Sequence, residues 1–251
     1  MIAVISPAKS LDFESIAPCE ISMVPHFQKD ADYLASKLGK LKTSELGNLL
    51  GISQKLAHLN AERYSTWKTA QLKQALFAYN GDVYDGLDAK TFSLQEIDFS
   101  QKHLQILSGL YGLLRPLEII KPYRIDMGTA FATPKGANIY KFWGDRITDQ
   151  LKKRIKESGS NVLINLASQE YFSAINTKKL KARIITPAFK DMSNGKYAMV
   201  SFFAKRARGM MSRFIIQNSI TDFEMLVGFD DSGYRFNHEL SKGDNWVFTR
   251  G

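Results

Sequence analysis

Ile2-Ala-Val-Ile-Ser6 is a short β-branched run that stops at Pro7. It reads as a buried strand feeding the loop Ser6-Pro7-Ala8-Lys9-Ser10. Further along, Leu104-Gln-Ile-Leu107 leads into the glycine-punctuated stretch Ser108-Gly109-Leu-Tyr-Gly112-Leu-Leu-Arg115-Pro116, a strand giving way to a loop. Asn161-Val-Leu-Ile-Asn165-Leu is another strand bounded by polar residues. Ala182–Phe189 and Lys196–Phe202 flank Asn194-Gly195, the dipeptide favoured in tight turns, and predict a β-hairpin.

Between these strands the apolar residues recur every three or four positions. Helices are predicted from Phe27 to Leu38 and from Ser44 to Leu59, with Thr43 or Ser44 as N-cap. A third is predicted from Ala70 to Tyr79, where Leu72, Ala75, Leu76 and Tyr79 share a face and Gly81 ends the run. Asp82-Val-Tyr-Asp-Gly-Leu87 reads as a turn-rich connection. A long helix is predicted over Ile139–Lys156, closing at Gly159, and another over Phe203–Asn218. Helices interleaved with strands specify a mixed α/β fold, a central mixed sheet surrounded by helices, in one domain spanning 1–251 with a helical subdomain over about 27–80.

The composition sets outer bounds. A chain of 251 residues, 44% hydrophobic and 24% charged, is long enough to bury one sizeable core. Thirty-four Lys+Arg against 25 Asp+Glu leave +9, which attracts nucleic acid, anionic lipid or phosphorylated metabolites. No apolar run approaches the roughly 18 residues needed to cross a bilayer, and no basic region precedes the apolar start, so a cytoplasmic protein without a membrane partner is expected. Cys19 cannot form an intramolecular disulfide and has no cationic neighbour to stabilise a thiolate. His26, His58, His103 and His238 lack helical metal-site spacing, so neither a metal nor another cofactor is expected. Nothing in the sequence calls for more than a monomer.

Four features bear on function. Leu46–Leu59 forms two amphipathic halves joined at Gly51-Ile52-Ser53 and resembles a helix-hairpin-helix motif. In that motif a tight hairpin leaves amides free at the start of the second helix, where the dipole favours an anion. Gly51 supplies the permissive backbone, Ser53 caps the second helix and Lys55 adds a cation, while Leu46, Leu49, Leu56 and Leu59 pack the pair. Ser53 stands where the motif usually has a second glycine, and Leu50 where it often has proline. An ordinary helical hairpin would show the same leucines.

The second feature is the helix over 203–218, where Lys205, Arg206, Arg208 and Arg213 share one arc opposite Ala207, Met210, Met211, Phe214 and Ile215. A cationic face with no acidic residue repels itself unless an anion lies nearby. The third is a set of loop cations, Lys9, Arg115, Lys121, Arg124 and Lys190, interleaved with Tyr111, Tyr123 and Phe189, a mixture suited to phosphates and bases. The fourth is chemical: Ser6, Lys9, Asp126, Ser168, Glu170 and Tyr171 include nucleophiles and acids, and matter only if the fold gathers them. No catalytic residue is assigned.

Ile5–Asp12, Gly81–Leu87, Leu107–Leu117, Pro122–Gly128, Phe142–Gly144, Asn165–Ser168, Asn194–Lys196 and Ala204–Arg213 together resemble the ordered signature blocks of the YaaA family across nearly the whole chain. The resemblance implies a bacterial cytosolic protein of the hydrogen peroxide response that lowers free iron, with a family-specific fold and a basic cleft that binds DNA. The family's helix-hairpin-helix falls on Leu46–Leu59, and its cleft on Lys9, Arg115, Arg124 and the Lys205–Arg213 helix. The leading expectation is a largely sequence-independent binder of double-stranded DNA, including branched or distorted forms. An enzyme acting on a phosphorylated or nucleotide-like small molecule, with Ser6 to Lys9 at a strand end, is the alternative. Direct iron sequestration is a third.

Overall fold

In the computed structural model, which describes residues 1–251, the run Ile2–Ile5 forms β1, buried on every side at the middle of an eight-stranded sheet. On one flank β2 (Leu104–Ser108) runs parallel to it with Ala3 opposite Leu104. On the other β4 (Val162–Leu166) is parallel with Ile2 opposite Leu163. Strands buried on both faces need near-continuous apolar runs, which is what these three supply. β3 (Gly112–Leu114) folds back antiparallel on β2, and β5 (Arg183–Ser193) continues the parallel set beyond β4. The hairpin forms as read: β6 (Lys196–Ala198) returns along β5 through Asn194 and Gly195, both at positive φ. β7 (Arg235–Phe236) and β8 (Asn245–Arg250) complete the order β7-β8-β5-β4-β1-β2-β3, with β6 beside β5.

β5 binds three partners along its length. Arg183–Ile185 pair with β4, Thr186–Asp191 pair with β8, and Asp191–Ser193 pair with β6. At this junction the buried Asp191 carboxylate accepts from the Tyr234 hydroxyl at 2.9 Å and from Arg250 Nε at 2.7 Å.

The helices α1 (Gln28–Leu38), α2 (Thr43–Leu50) and α3 (Gln54–Ser65) stand where amphipathic periodicity predicted them, except that Lys42, not Thr43 or Ser44, is the N-cap of α2. Their buried Ala31, Leu34, Leu46 and Tyr64 belong to the same apolar cluster as the strands. The leucine assignment needs correction: Leu46 is buried, but Leu56 and Leu59 are 37% and 40% exposed. The two helices meet instead where Gly47 faces Ala57, close enough that a Cβ on Gly47 would lie 3.1 Å from that methyl.

Three other expectations are overturned. Residues 70–79 are not one helix: Lys73–Gln74 pair antiparallel with Ile119–Ile120, Ala75–Ala78 make a single turn, and Tyr79–Asn80 pair with Ser10–Leu11. All of Ala75–Ala78 are buried, so packing on every side overrides the helical period. Conversely, Asp82–Leu87 forms a helix, α4, although it is rich in turn residues. The segment 139–156 is two helices, α6 (Ile139–Trp143) and α7 (Arg146–Glu157), because Gly144 takes a left-handed φ of 51° between them. α5 (Leu94–His103) begins at a Ser93/Glu96 capping box, and α8 (Ser201–Gln217) starts two residues earlier than expected, ending the hairpin strand at Ala198.

α4 and α8 cross backbone to backbone. A Cβ on Gly86 would overlap the Arg206 carbonyl oxygen, and one on Gly209 would overlap that of Val83. Only glycine permits this approach.

Beneath the Ser10–Leu11 ladder, Asp12 accepts from the Ser15 hydroxyl at 2.6 Å and the Lys90 ammonium at 2.9 Å, with the buried Lys73 ammonium 3.6 Å away. These donors, the Ser15 hydroxyl first, hold the Asp12 carboxyl far below the usual carboxylate range. A depressed folded-state value stabilises fully above the unfolded value of about 3.9 and is lost as pH falls through the lower one. Asp12→Asn is expected to melt lower than the parent at neutral pH, with the difference shrinking below about pH 4. Melting curves across pH check this, and a difference that grows on acidification contradicts it.

Candidate functional site: a sheet-end crevice and a helical hairpin

β1 and β4 are parallel neighbours whose chains leave in opposite directions, β1 towards β2 and β4 towards β5. Such a divergence opens a crevice at the carboxyl ends of the strands, the usual ligand position in open α/β sheets. Here Ser6 leaves β1 and Ser168 follows β4, and they meet: the Ser168 amide donates to Ser6 Oγ at 2.9 Å and the Ser6 hydroxyl donates to Ser168 Oγ at 3.3 Å. The buried Tyr84 on α4 donates its hydroxyl to the Ser6 carbonyl at 3.2 Å.

Around this pair the residues with candidate chemistry gather. Lys9 Nζ lies 3.3 Å from the Asp126 carboxylate, which also accepts from the Tyr171 hydroxyl at 3.2 Å. Burial and the Asp126 charge push the Tyr171 phenol far above its ordinary range. Glu170 accepts the Gly128 amide at 2.9 Å through one oxygen. From α8 come Lys205, 3.6 Å from Asp82, and Arg208. The crevice they line encloses about 410 Å³.

Arg208 differs from the other cations. Burial alone lowers its guanidinium from the ordinary value, and no neighbouring charge enters the balance. The rest of the basic helix is largely engaged. Arg213 donates to the carbonyls of Leu87 and Asp88, at 3.2 and 2.9 Å, and to Thr91 Oγ1, which closes the end of α4. The negative charge absent from the helix itself is supplied by Asp82 and Asp88 on a distant segment. Arg206 is exposed and has no ion-pair partner.

The loop cations separate. Arg115 is paired with the buried Glu118 at 3.0 Å, beyond the end of β3 and away from Ser6. Lys121 donates to the Trp67 carbonyl at 2.6 Å and lies over the Trp67 ring. Lys190 sits on β5 opposite Thr249. Tyr111, Tyr123 and Phe189 are buried core residues and offer no face for stacking on bases, a second correction. Arg124 lies beside α3, where its backbone amide and carbonyl both bond the Tyr64 hydroxyl and its Nε has no partner. Arg63 adjoins it, lowered from its ordinary value mainly by burial and further by the Arg124 charge.

The hairpin has the backbone its sequence asked for. Gly51 takes φ 60° and ψ 44°, and its amide and that of Ile52 return to the Asn48 and Gly47 carbonyls. Ser53 caps α3, its hydroxyl accepting from the Leu56 amide at 3.4 Å. The amides of Gln54 and Lys55 find no protein acceptor, no acidic residue stands in this first turn, and the Lys55 side chain is exposed.

Elsewhere, burial pushes the Cys19 thiol up, in keeping with its lack of a cationic neighbour in the sequence. No helix is long and apolar enough to cross a membrane.

Comparison with known proteins gives one consistent result. The family model described as "Peroxide stress protein YaaA" matches residues 1–240. A UPF0246 protein of Neisseria meningitidis serogroup B is 50% identical, covering 100% of this chain and 98% of its own length. UPF0246 proteins of Teredinibacter turnerae and Colwellia psychrerythraea are 50% and 48% identical, each covering 100% of this chain and 99% of their own.

Proposed function

Because the chain belongs to the YaaA family of peroxide stress proteins, we propose that it serves that response by binding duplex DNA along its phosphate backbone. The observation that carries this reading is the hairpin: two unpartnered amides and Lys55 stand together at the positive end of a twelve-residue helix. Amides at a helix start favour an oxyanion, and the neighbouring ammonium adds charge that a phosphate neutralises. Arg63 and Arg124 supply a second cationic point about 14 Å further along α3. The net charge of +9 draws the polyanion in. None of these groups reads a base edge, so the binding is largely independent of sequence.

The same contact links DNA to iron. Duplex phosphates hold a condensed layer of cations, and a protein that neutralises them releases those cations. Ferrous iron displaced in this way reacts with peroxide away from the bases, which limits iron-dependent damage to the DNA without itself lowering free iron.

Gln54→Pro tests the hairpin with little disturbance. Proline suits the first helical position, and Ser53, at ψ 157°, already has the extended backbone that a following proline requires. The substitution deletes one of the two free amides. It is expected to weaken duplex binding several-fold at an unchanged melting temperature, and Lys55→Glu about tenfold. Fluorescence anisotropy with a labelled duplex measures both. If neither variant moves the affinity, the hairpin does not hold phosphate.

A further inference from the structure

The crevice at the ends of β1 and β4 is too small for a double helix, and its about 410 Å³ lies in the range of small-molecule sites. Its lining mixes two chemistries. Ala8, Val83 and Tyr84 contribute apolar surface, while Glu170 and Asp82 offer acceptors. Glu170 spends only one oxygen on the Gly128 amide. Arg208 lines the same crevice, with Lys205 three residues before it on α8 and held only by its 3.6 Å pair with Asp82.

An arginine stays charged in a protein, so a half-buried guanidinium without a counter-ion destabilises the empty fold. Lys9 and Lys205 are each in an ion pair with a carboxylate; Arg208 is in none. Its planar fork matches the paired oxygens of a phosphate. Apolar surface for a base, free carboxylate oxygens for sugar hydroxyls and a forked cation for a phosphoryl group occur together at the switch point of the sheet.

We propose that this crevice binds a nucleoside monophosphate, with Arg208 anchoring the phosphate, Lys205 assisting it and Glu170 receiving the sugar. This site lies apart from the helical hairpin and goes beyond the duplex-binding reading.

Calorimetric titration of the full chain with the four nucleoside 5′-monophosphates, and with the matching nucleosides, tests it. At least one monophosphate is expected to bind saturably at one per chain, with its nucleoside tenfold weaker or more. Arg208→Gln is expected to cut that affinity tenfold or more while the empty protein melts at the same temperature or higher, because an unpaired charge has been removed. Arg208→Lys, which keeps the charge without the fork, is expected to fall between. Gln54→Pro, aimed at the hairpin, is expected to leave monophosphate binding intact, so the two sites fail or succeed separately. The proposal is overturned if no monophosphate binds by about 10 mM, or if nucleoside and monophosphate bind alike. Wild-type affinity in Arg208→Gln, or its melting several degrees lower, overturns the anchor role. Displacement of the monophosphate by a lower concentration of 5′-phosphorylated oligonucleotide would assign the site to a DNA end instead and overturn the small-molecule reading.

Discussion

Gly209→Ala is expected to lower the melting temperature by on the order of 10 °C, or to leave the chain insoluble. On an exposed helix the same change stabilises by about 1 kcal/mol, because glycine is the weaker helix former. Here the sign reverses. The added Cβ would overlap the Val83 carbonyl oxygen and lie 2.8 Å from the Leu87 amide nitrogen. Both are backbone atoms of α4 and cannot rotate aside as a side chain would. Overpacking a core costs about 1–3 kcal/mol where side chains can yield, and the upper end or beyond applies where a helix must move. A chain of this length shifts by about 2–4 °C per kcal/mol. Gly228→Ala is the control: a Cβ there meets nothing within 4 Å, and it is expected to stay within about 0.5 kcal/mol of the parent. Calorimetry of the two variants decides the matter, and equal melting temperatures would mean that the crossing has slack.

Duplex affinity is expected to fall about 500-fold between 50 and 200 mM salt. The figure follows from about five neutralised phosphates at a slope of −0.9 each, applied to a fourfold change in salt. Lys55, Arg63, Arg124 and Arg206 have no carboxylate to satisfy them, and Lys9 is held only by an exposed pair. The Lys9 side chain is 62% exposed, so under the duplex-binding proposal it would exchange its carboxylate for a phosphate. Arg213 is different, because its donors are committed to the Leu87 and Asp88 carbonyls. Arg213→Ala is therefore expected to lower stability and leave the salt slope unchanged. Anisotropy titrations across the salt range read the slope directly. A value near zero would remove the phosphate backbone as the partner.

The sheet was largely legible because its parallel strands are continuous apolar runs, and Asn194-Gly195 has a turn geometry of its own. α4 was not, because Asp82-Val-Tyr-Asp-Gly-Leu carries turn residues whose helicity depends on α8 lying across Gly86. The same limit shaped the site. Ser6, Lys9, Asp126, Ser168, Glu170 and Tyr171 could be named from their chemistry, but only the adjacency of β1 and β4 brings them together. Tyr84 and Asp82 escaped notice because they belong to the unrecognised helix. Arg115 was misjudged despite a local signal, since Glu118 three residues on could have been recognised as its partner. For Lys205 and Arg213 no such signal exists, because Asp82 and Asp88 lie more than a hundred positions away.

The position of β1 has a consequence for biosynthesis. β1 is made before both of the strands that flank it, which begin at Leu104 and Val162. At about 5–20 residues per second, its second neighbour emerges on the order of ten seconds or more after it. A fully apolar segment, Ile2–Ile5, has both hydrogen-bonding edges open until Leu104 is made, and one edge open until Val162 follows. Crowded or oxidatively stressed cells, where chaperones are in demand, are where this order of synthesis exposes the polypeptide most to aggregation.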